Sequence, residues 1–212
     1  MTGAGGRSAG GGGRFPGFDP LAQSEHWDLA TAGAVLARLG IPPGIRFFTP
    51  AEEGAATSLC DLLLGQDSGL RVPVVEFIDA RLAEGETDGW RYEDMPEDGQ
   101  AWRDSLRWLD GDAQAKFGRS FARCPAGDQR ELIQAVQDTG SADWHGVTAA
   151  RVWSLWTRYA CTALYAHPLA WAEIGFPGPA YPRGYKNAGV GKREPFEVAD
   201  ARPTEDPVQE DA

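Results

Sequence analysis

The sequence predicts an all-α protein, a small irregular helical bundle with an extended C-terminal segment rich in proline, glycine and aromatic residues. Three observations support this fold class. Apolar residues recur every three to four positions through the middle of the chain. Helix start and stop signals bracket these repeats. Alternating strand patterns do not exceed about four residues, which is near the lower limit of strand length.

The first well-marked helix begins after Thr49. Thr49 and Glu52 have the spacing of a capping box, and Pro50 occupies the first helical position. Three leucines then fall on one face, and Gly65 can adopt the left-handed conformation that ends many helices. Upstream, residues 26–45 contain a short helical pattern that a Pro-Pro-Gly run stops.

Four more helices follow along the chain. The apolar stripes of the first four helices are Leu59, Leu62 and Leu63; Val74, Ile78 and Leu82; Trp102, Leu106 and Leu109; and Leu132, Ile133 and Val136. We expect the third helix to break at Asp110-Gly111-Asp112, which combines a stop with a fresh N-cap, and to resume at Ala113. The fifth helix, over residues 147–166, is apolar around its circumference, which is typical of a central helix.

Composition defines the domain organisation. The first thirteen residues contain seven glycines, so we expect a flexible tail over residues 1–25. A single helical domain is expected over residues 26–185, followed by an acidic, proline-rich tail over residues 186–212.

Charge and signal content exclude several functions. The net charge of −11 argues against binding to nucleic acid or to an anionic membrane surface. We read neither a Sec nor a Tat signal in the glycine-rich N-terminus, and we expect no transmembrane helix, because no apolar run is long enough to span a membrane. Three scattered cysteines fit a reducing compartment. We therefore expect a cytoplasmic protein.

Candidate catalytic residues are few. The chain has three histidines and carries no HExxH, Cys/His cluster, nucleotide-binding loop or nucleophile elbow, so we expect neither a catalytic residue nor a metal or cofactor in this chain. For His167 we expect interaction with the last carbonyls of the fifth helix. The alternative is a stand-alone metal-dependent enzyme that uses Asp143, His145 and His167.

Residues 167–185, HPLAWAEIGFPGPAYPRGY, form what we call the aromatic segment. Its four prolines predict that the segment forms no helix and no central strand, because each proline lacks a backbone N–H donor. Extended proline-rich chain loses little entropy on docking, and Tyr, Trp and Arg are frequent in binding hot spots, so we expect contact with a partner protein. The competing interpretation is that the segment caps its own bundle, with Glu173 either paired to Arg183 or facing a partner. The expected partner-binding residues are His167, Pro168, Trp171, Glu173, Ile174, Gly175, Phe176, Pro177, Gly178, Pro179, Tyr181, Pro182, Arg183, Gly184 and Tyr185.

The aromatic segment strongly resembles the C-terminal signature of the gluconate 2-dehydrogenase subunit 3 family, the small subunits of flavin-dependent sugar dehydrogenases. The resemblance extends upstream through RFFTPAEEGAATSLCDLLL, VPVVEFIDARLA and DGDAQAKFGRSFA to the tryptophan-rich fifth helix. It covers residues 46–189.

The resemblance implies a non-catalytic helical subunit. Its partner would be a large FAD-binding subunit of the GMC type, which oxidises a sugar, sugar acid or glycoside, while the small subunit supports the folding and stability of the flavoprotein. A transient chaperone of such a flavoprotein is a further alternative. Many family members carry a Tat signal, and a glycine-rich N-terminus stands in its place here.

Overall fold

The computed structural model describes residues 14–66, 71–187 and 189–205, and it confirms an all-α fold. The helices are α1 (Leu29–Ala37), α2 (Pro50–Leu64), α3 (Val74–Ala83), α4 (Asp98–Phe117), α5 (Ala126–Thr139), α6 (Ala149–Tyr165) and α7 (Pro168–Ile174). Two 3₁₀ turns, Ser24–His26 and Phe121–Arg123, and a hairpin of β1 (Asp143–Trp144) with β2 (Val147–Thr148) complete the described elements.

The chain divides into two compact units. One unit is Pro42–Leu164, and the other combines the chain up to Ile41 with the chain from Tyr165 onward. This grouping differs from the single domain that we expected over residues 26–185, because apolar side chains of the N-terminal part pack on α7. Within the expected tails, residues 1–13 and 206–212 lie outside the described residues.

Helix α2 is at the centre of the larger unit, where it contacts α3, α4 and α5. It begins with the expected capping box between Thr49 and Glu52, and it ends at Gly65, which has a left-handed φ of 64°. The expected apolar stripes supply much of the core. Its buried members are Leu59, Val74, Ile78, Leu82, Trp102, Leu106, Leu109, Leu132, Ile133 and Val136.

Helix α4 corrects one prediction. We expected a break at Asp110-Gly111-Asp112, but the helix runs without interruption from Asp98 to Phe117 and ends at Gly118, where φ is 69°. Leu109 and Ala113 lie one turn apart and are both fully buried, so the apolar stripe continues across the expected break. Burial of this stripe outweighs the weak helix propensity of Gly and Asp.

Helix α7 corrects a second prediction, that the aromatic segment forms no helix. Pro168 stands at the start of α7, where the amide it lacks would have no intrahelical partner. His167 is the N-cap, and Gly175, with a left-handed φ of 66°, ends the helix. Proline therefore starts this helix instead of preventing it, and residues 176–185 follow without regular structure.

Candidate functional site

The aromatic segment has an inner and an outer side. The buried residues, its inner side, are His167, Pro168, Ala170, Trp171, Pro177 and Gly178. The half-buried residues are Leu169, Ala172, Gly175, Phe176, Pro179, Ala180 and Arg183. The exposed residues, its outer side, are Glu173, Ile174, Tyr181, Pro182, Gly184 and Tyr185. The expected partner-binding residues therefore divide into those that hold the segment and those that remain available for contact.

Trp171 anchors the inner side to the rest of its unit. Its ring meets Trp27 edge-on, with 6.4 Å between ring centroids, and meets Phe176 in the same way at 5.2 Å. The Trp171 indole N–H donates to the carbonyl of Tyr165 at 2.7 Å, and that of Trp27 donates to the carbonyl of Pro179 at 2.9 Å. The inner side thus packs on other parts of its own unit. Sequence reasoning missed Trp27, since it lies in the ambiguous N-terminal part.

Two glycines allow this close packing. A Cβ at Gly175 would lie 2.5 Å from the ring of Phe15, and a Cβ at Gly178 would lie 2.5 Å from the ring of Trp27. Both glycines also have a positive φ. Any side chain at either position would displace an aromatic ring and strain the backbone.

His167 caps the start of α7, where its Nδ1 accepts a hydrogen bond from the Leu169 amide at 3.2 Å. Burial lowers the pKa of His167, and the charge of Arg38 lowers it further, while a hydrogen bond with the Arg38 backbone opposes the shift. His167 is therefore a neutral capping residue at neutral pH.

Arg183 does not take Glu173 as its partner. Its Nη1 donates to Oε1 of Gln23 at 2.6 Å, and its guanidinium lies 3.6 Å from the centroid of the Phe196 ring. Glu173 is exposed to solvent. The structure therefore has no ion pair between Glu173 and Arg183, and Glu173 remains available for contact on the outer side.

Asp143 and His145 belong to the β1–β2 hairpin. His145 occupies the turn with a left-handed φ of 54°, and its Nε2 lies 2.9 Å from Oδ1 of Asp112 on α4. The imidazole stacks on Trp108 with 5.5 Å between ring centroids. Asp143 accepts the amide N–H of Gly146. Sequence reasoning missed Asp112, because it was read as a helix cap.

No group of three or more His, Cys, Asp or Glu side chains in the described part of the chain could hold a metal ion. The metal-dependent alternative therefore gains no support from Asp143, His145 and His167. No helix among residues 14–66, 71–187 and 189–205 is both long and apolar enough to cross a membrane.

Together the fold and the aromatic segment define a small helical protein with a proline- and aromatic-rich surface. The sequence model of one family, Gluconate 2-dehydrogenase subunit 3, matches residues 50–178. The match covers more than half of the chain, so the chain belongs to this family and is an accessory subunit of a dehydrogenase complex. No curated protein and no solved structure matches the chain.

Proposed function

We propose that this chain is the non-catalytic subunit that stabilises an FAD-dependent sugar, sugar-acid or glycoside dehydrogenase of the GMC type. Membership of the subunit 3 family supports the assignment to a dehydrogenase complex. The flavin belongs to the partner, which performs the oxidation, and this chain supplies contact surface.

The observation that carries the proposal is the uncovered apolar surface of the smaller unit. Helix α1, LATAGAVLA, contains no charged residue, and Val35 is its one buried residue. Leu29 is 93% exposed, and Ile41, just beyond the helix, is 97% exposed. Apolar surface of this kind is a feature of protein–protein interfaces, because leaving it in water is unfavourable.

The outer side of the aromatic segment adds further exposed apolar side chains in the same unit. Ile174, Tyr181 and Tyr185 are large, apolar or aromatic, and exposed. Trp171 and Phe176 already pack within the chain, so they hold the segment in the shape that the partner meets. We therefore assign partner contact to the outer side and a supporting role to the inner side.

The test is co-expression of this chain, tagged, with a candidate GMC-type flavoprotein, followed by affinity purification and a visible spectrum. We expect yellow fractions whose absorption spectrum has flavin maxima at about 370 and 450 nm. The triple variant Ile174→Ala, Tyr181→Ala, Tyr185→Ala should fold normally and retain less flavoprotein. As a control, Val190→Ala removes an exposed apolar side chain outside the segment. A folded wild-type chain that never retains the flavoprotein would contradict the proposal.

A further inference from the structure

We infer that the loop between α3 and α4, residues 84–97, is a second docking site, which inserts Trp90 and Tyr92 into a basic surface of the dehydrogenase partner. We call it the braced loop. The identity of the occupant rests on the proposed function above. The loop lies in the larger unit and within the part of the chain that the family model matches.

The braced loop places two aromatic side chains at the surface. Trp90 is 51% exposed and Tyr92 is 41% exposed, and their rings meet edge-on with 5.5 Å between centroids. The guanidinium of Arg158 lies 4.7 Å from the Trp90 centroid, and that of Arg151 lies 4.7 Å from the Tyr92 centroid. Each ring thus has an arginine from α6 over it and keeps a large part of its surface open to solvent.

Ion pairs hold the backbone of the braced loop. Asp88 pairs with both Arg81 of α3 and Arg158 of α6. Asp94 pairs with Arg151, and Glu97 pairs with Arg91. The Asp88 pairs are half-buried, with side chains 21% and 22% exposed, whereas the Asp94 and Glu97 pairs are more exposed and add little to folding stability. A long connection without regular structure that is nevertheless fixed in place is typical of a functional loop.

Fixing the two rings before binding favours association. The loop then loses less conformational entropy when the partner binds. Trp, Tyr and Arg are also the residue types that dominate binding hot spots. Beside Trp90 lies a cavity of about 290 Å³ that is lined by Glu97 and Asp98 and also by Arg91, which pairs with Glu97.

The unpaired charge on the loop selects the occupant. Glu84 pairs with Arg46, whereas Glu86 and Glu93 are exposed and form no ion pair in the described part of the chain, and the whole chain carries a net charge of −11. In a symmetric dimer of this chain the acidic loop would face its own copy, which like-charge repulsion disfavours. A partner with a basic surface gains from the same charges.

The test measures the affinity of the tagged chain for the purified flavoprotein at low and at high salt. The variant Trp90→Ala, Tyr92→Ala should bind on the order of 30-fold more weakly, the loss expected when a hot spot is truncated. Glu93→Gln should weaken binding several-fold at low salt, and the effect should vanish at high salt. Asp138→Asn, which removes an exposed carboxylate from α5, is the matched control and should change neither value.

Hydroxyl-radical footprinting of the wild-type complex provides a second readout that needs no variant. Trp90 and Tyr92 should be oxidised in the free chain and protected in the complex. Unchanged affinity of a folded double variant, or equal oxidation in both states, would overturn the braced loop as a docking site and leave the proposed function intact. A homodimer of the chain alone that the double variant dissociates would overturn the assignment of the occupant. Failure of the wild-type chain to bind any flavoprotein would overturn the proposed function itself.

Discussion

Asp79 demonstrates how much a single buried side chain can organise. Its carboxylate is fully buried, and it accepts the backbone N–H groups of Arg46, Phe47 and Phe48 at 2.7 to 2.8 Å. These three amides precede α2, so a residue of α3 fixes the chain that leads into α2. In the sequence Asp79 stands inside an apolar helix pattern, and no local signal reports which amides it will meet.

His167 provides a prediction at the same scale. Burial lowers the pKa of His167 in the native protein, whereas in the unfolded chain the group titrates near its ordinary value of about 6.5. Below that pH the unfolded state binds the proton more readily, so the free energy of unfolding falls as the pH falls. We expect His167→Asn, which keeps an N-cap acceptor but does not titrate, to lose less stability than the wild type between pH 8 and about pH 5.5.

Urea unfolding at a series of pH values measures this difference. His145→Asn is the matched control, because it removes an exposed histidine and preserves a residue type that tolerates the left-handed turn. If the free energy of unfolding depended on pH in the same way for the wild type and His167→Asn, His167 would be protonated equally easily in the native and unfolded states.

At the scale of the element, the continuity of α4 makes a prediction. Gly111 lies inside the helix, and a Cβ at this position would meet nothing within 4 Å. Gly111→Ala should therefore raise the free energy of unfolding by about 1 kcal/mol, the difference in helix propensity. Gly118→Ala is the matched control. It should lower the free energy of unfolding by about 1 kcal/mol, because Gly118 has a left-handed φ of 69°.

Chemical denaturation of both variants reads out the two changes. If the helix broke at Asp110-Gly111-Asp112, alanine at position 111 would give no gain in stability.

The elements also differ in how far sequence could predict them. The capping box at Thr49 and the stop at Gly65 depend on neighbouring residues, and both were correctly predicted. The break in α4 was a wrong prediction, because the burial of Leu109 and Ala113 depends on distant parts of the chain. The absence of a helix in the aromatic segment was also a wrong prediction. Four prolines in nineteen residues argued against a helix, but the first of them, Pro168, stands at the start of α7.

At the scale of the molecule, exposed apolar surface should make the isolated chain prone to self-association. We expect the variant Leu29→Glu, Ile41→Glu to remain monomeric at higher concentration than the wild type, since charge replaces two exposed apolar side chains. The same variant should bind the flavoprotein at least about tenfold more weakly, because a charge would be buried in the interface.

Analytical ultracentrifugation and the binding assay together measure both effects. Ala115→Glu is the control, because it adds the same charge at an exposed position of α4. If the double variant became more soluble but kept its affinity for the flavoprotein, the flavoprotein would bind elsewhere on the molecule.

The sequence by itself determined the helical class, most of the apolar stripes and the resemblance to a family, because periodicity, capping and short motifs are properties of adjacent residues. Only the tertiary structure decided which aromatic residues are available to a partner. Trp171 and Tyr181 look alike in the sequence, yet Trp171 packs on Trp27 while Tyr181 is exposed. The ion pairs of the braced loop likewise depend on the tertiary structure, because the arginines that pair with Asp88 come from α3 and α6. Burial and ion pairing depend on residues far apart in the chain, and only the folded structure brings those residues together.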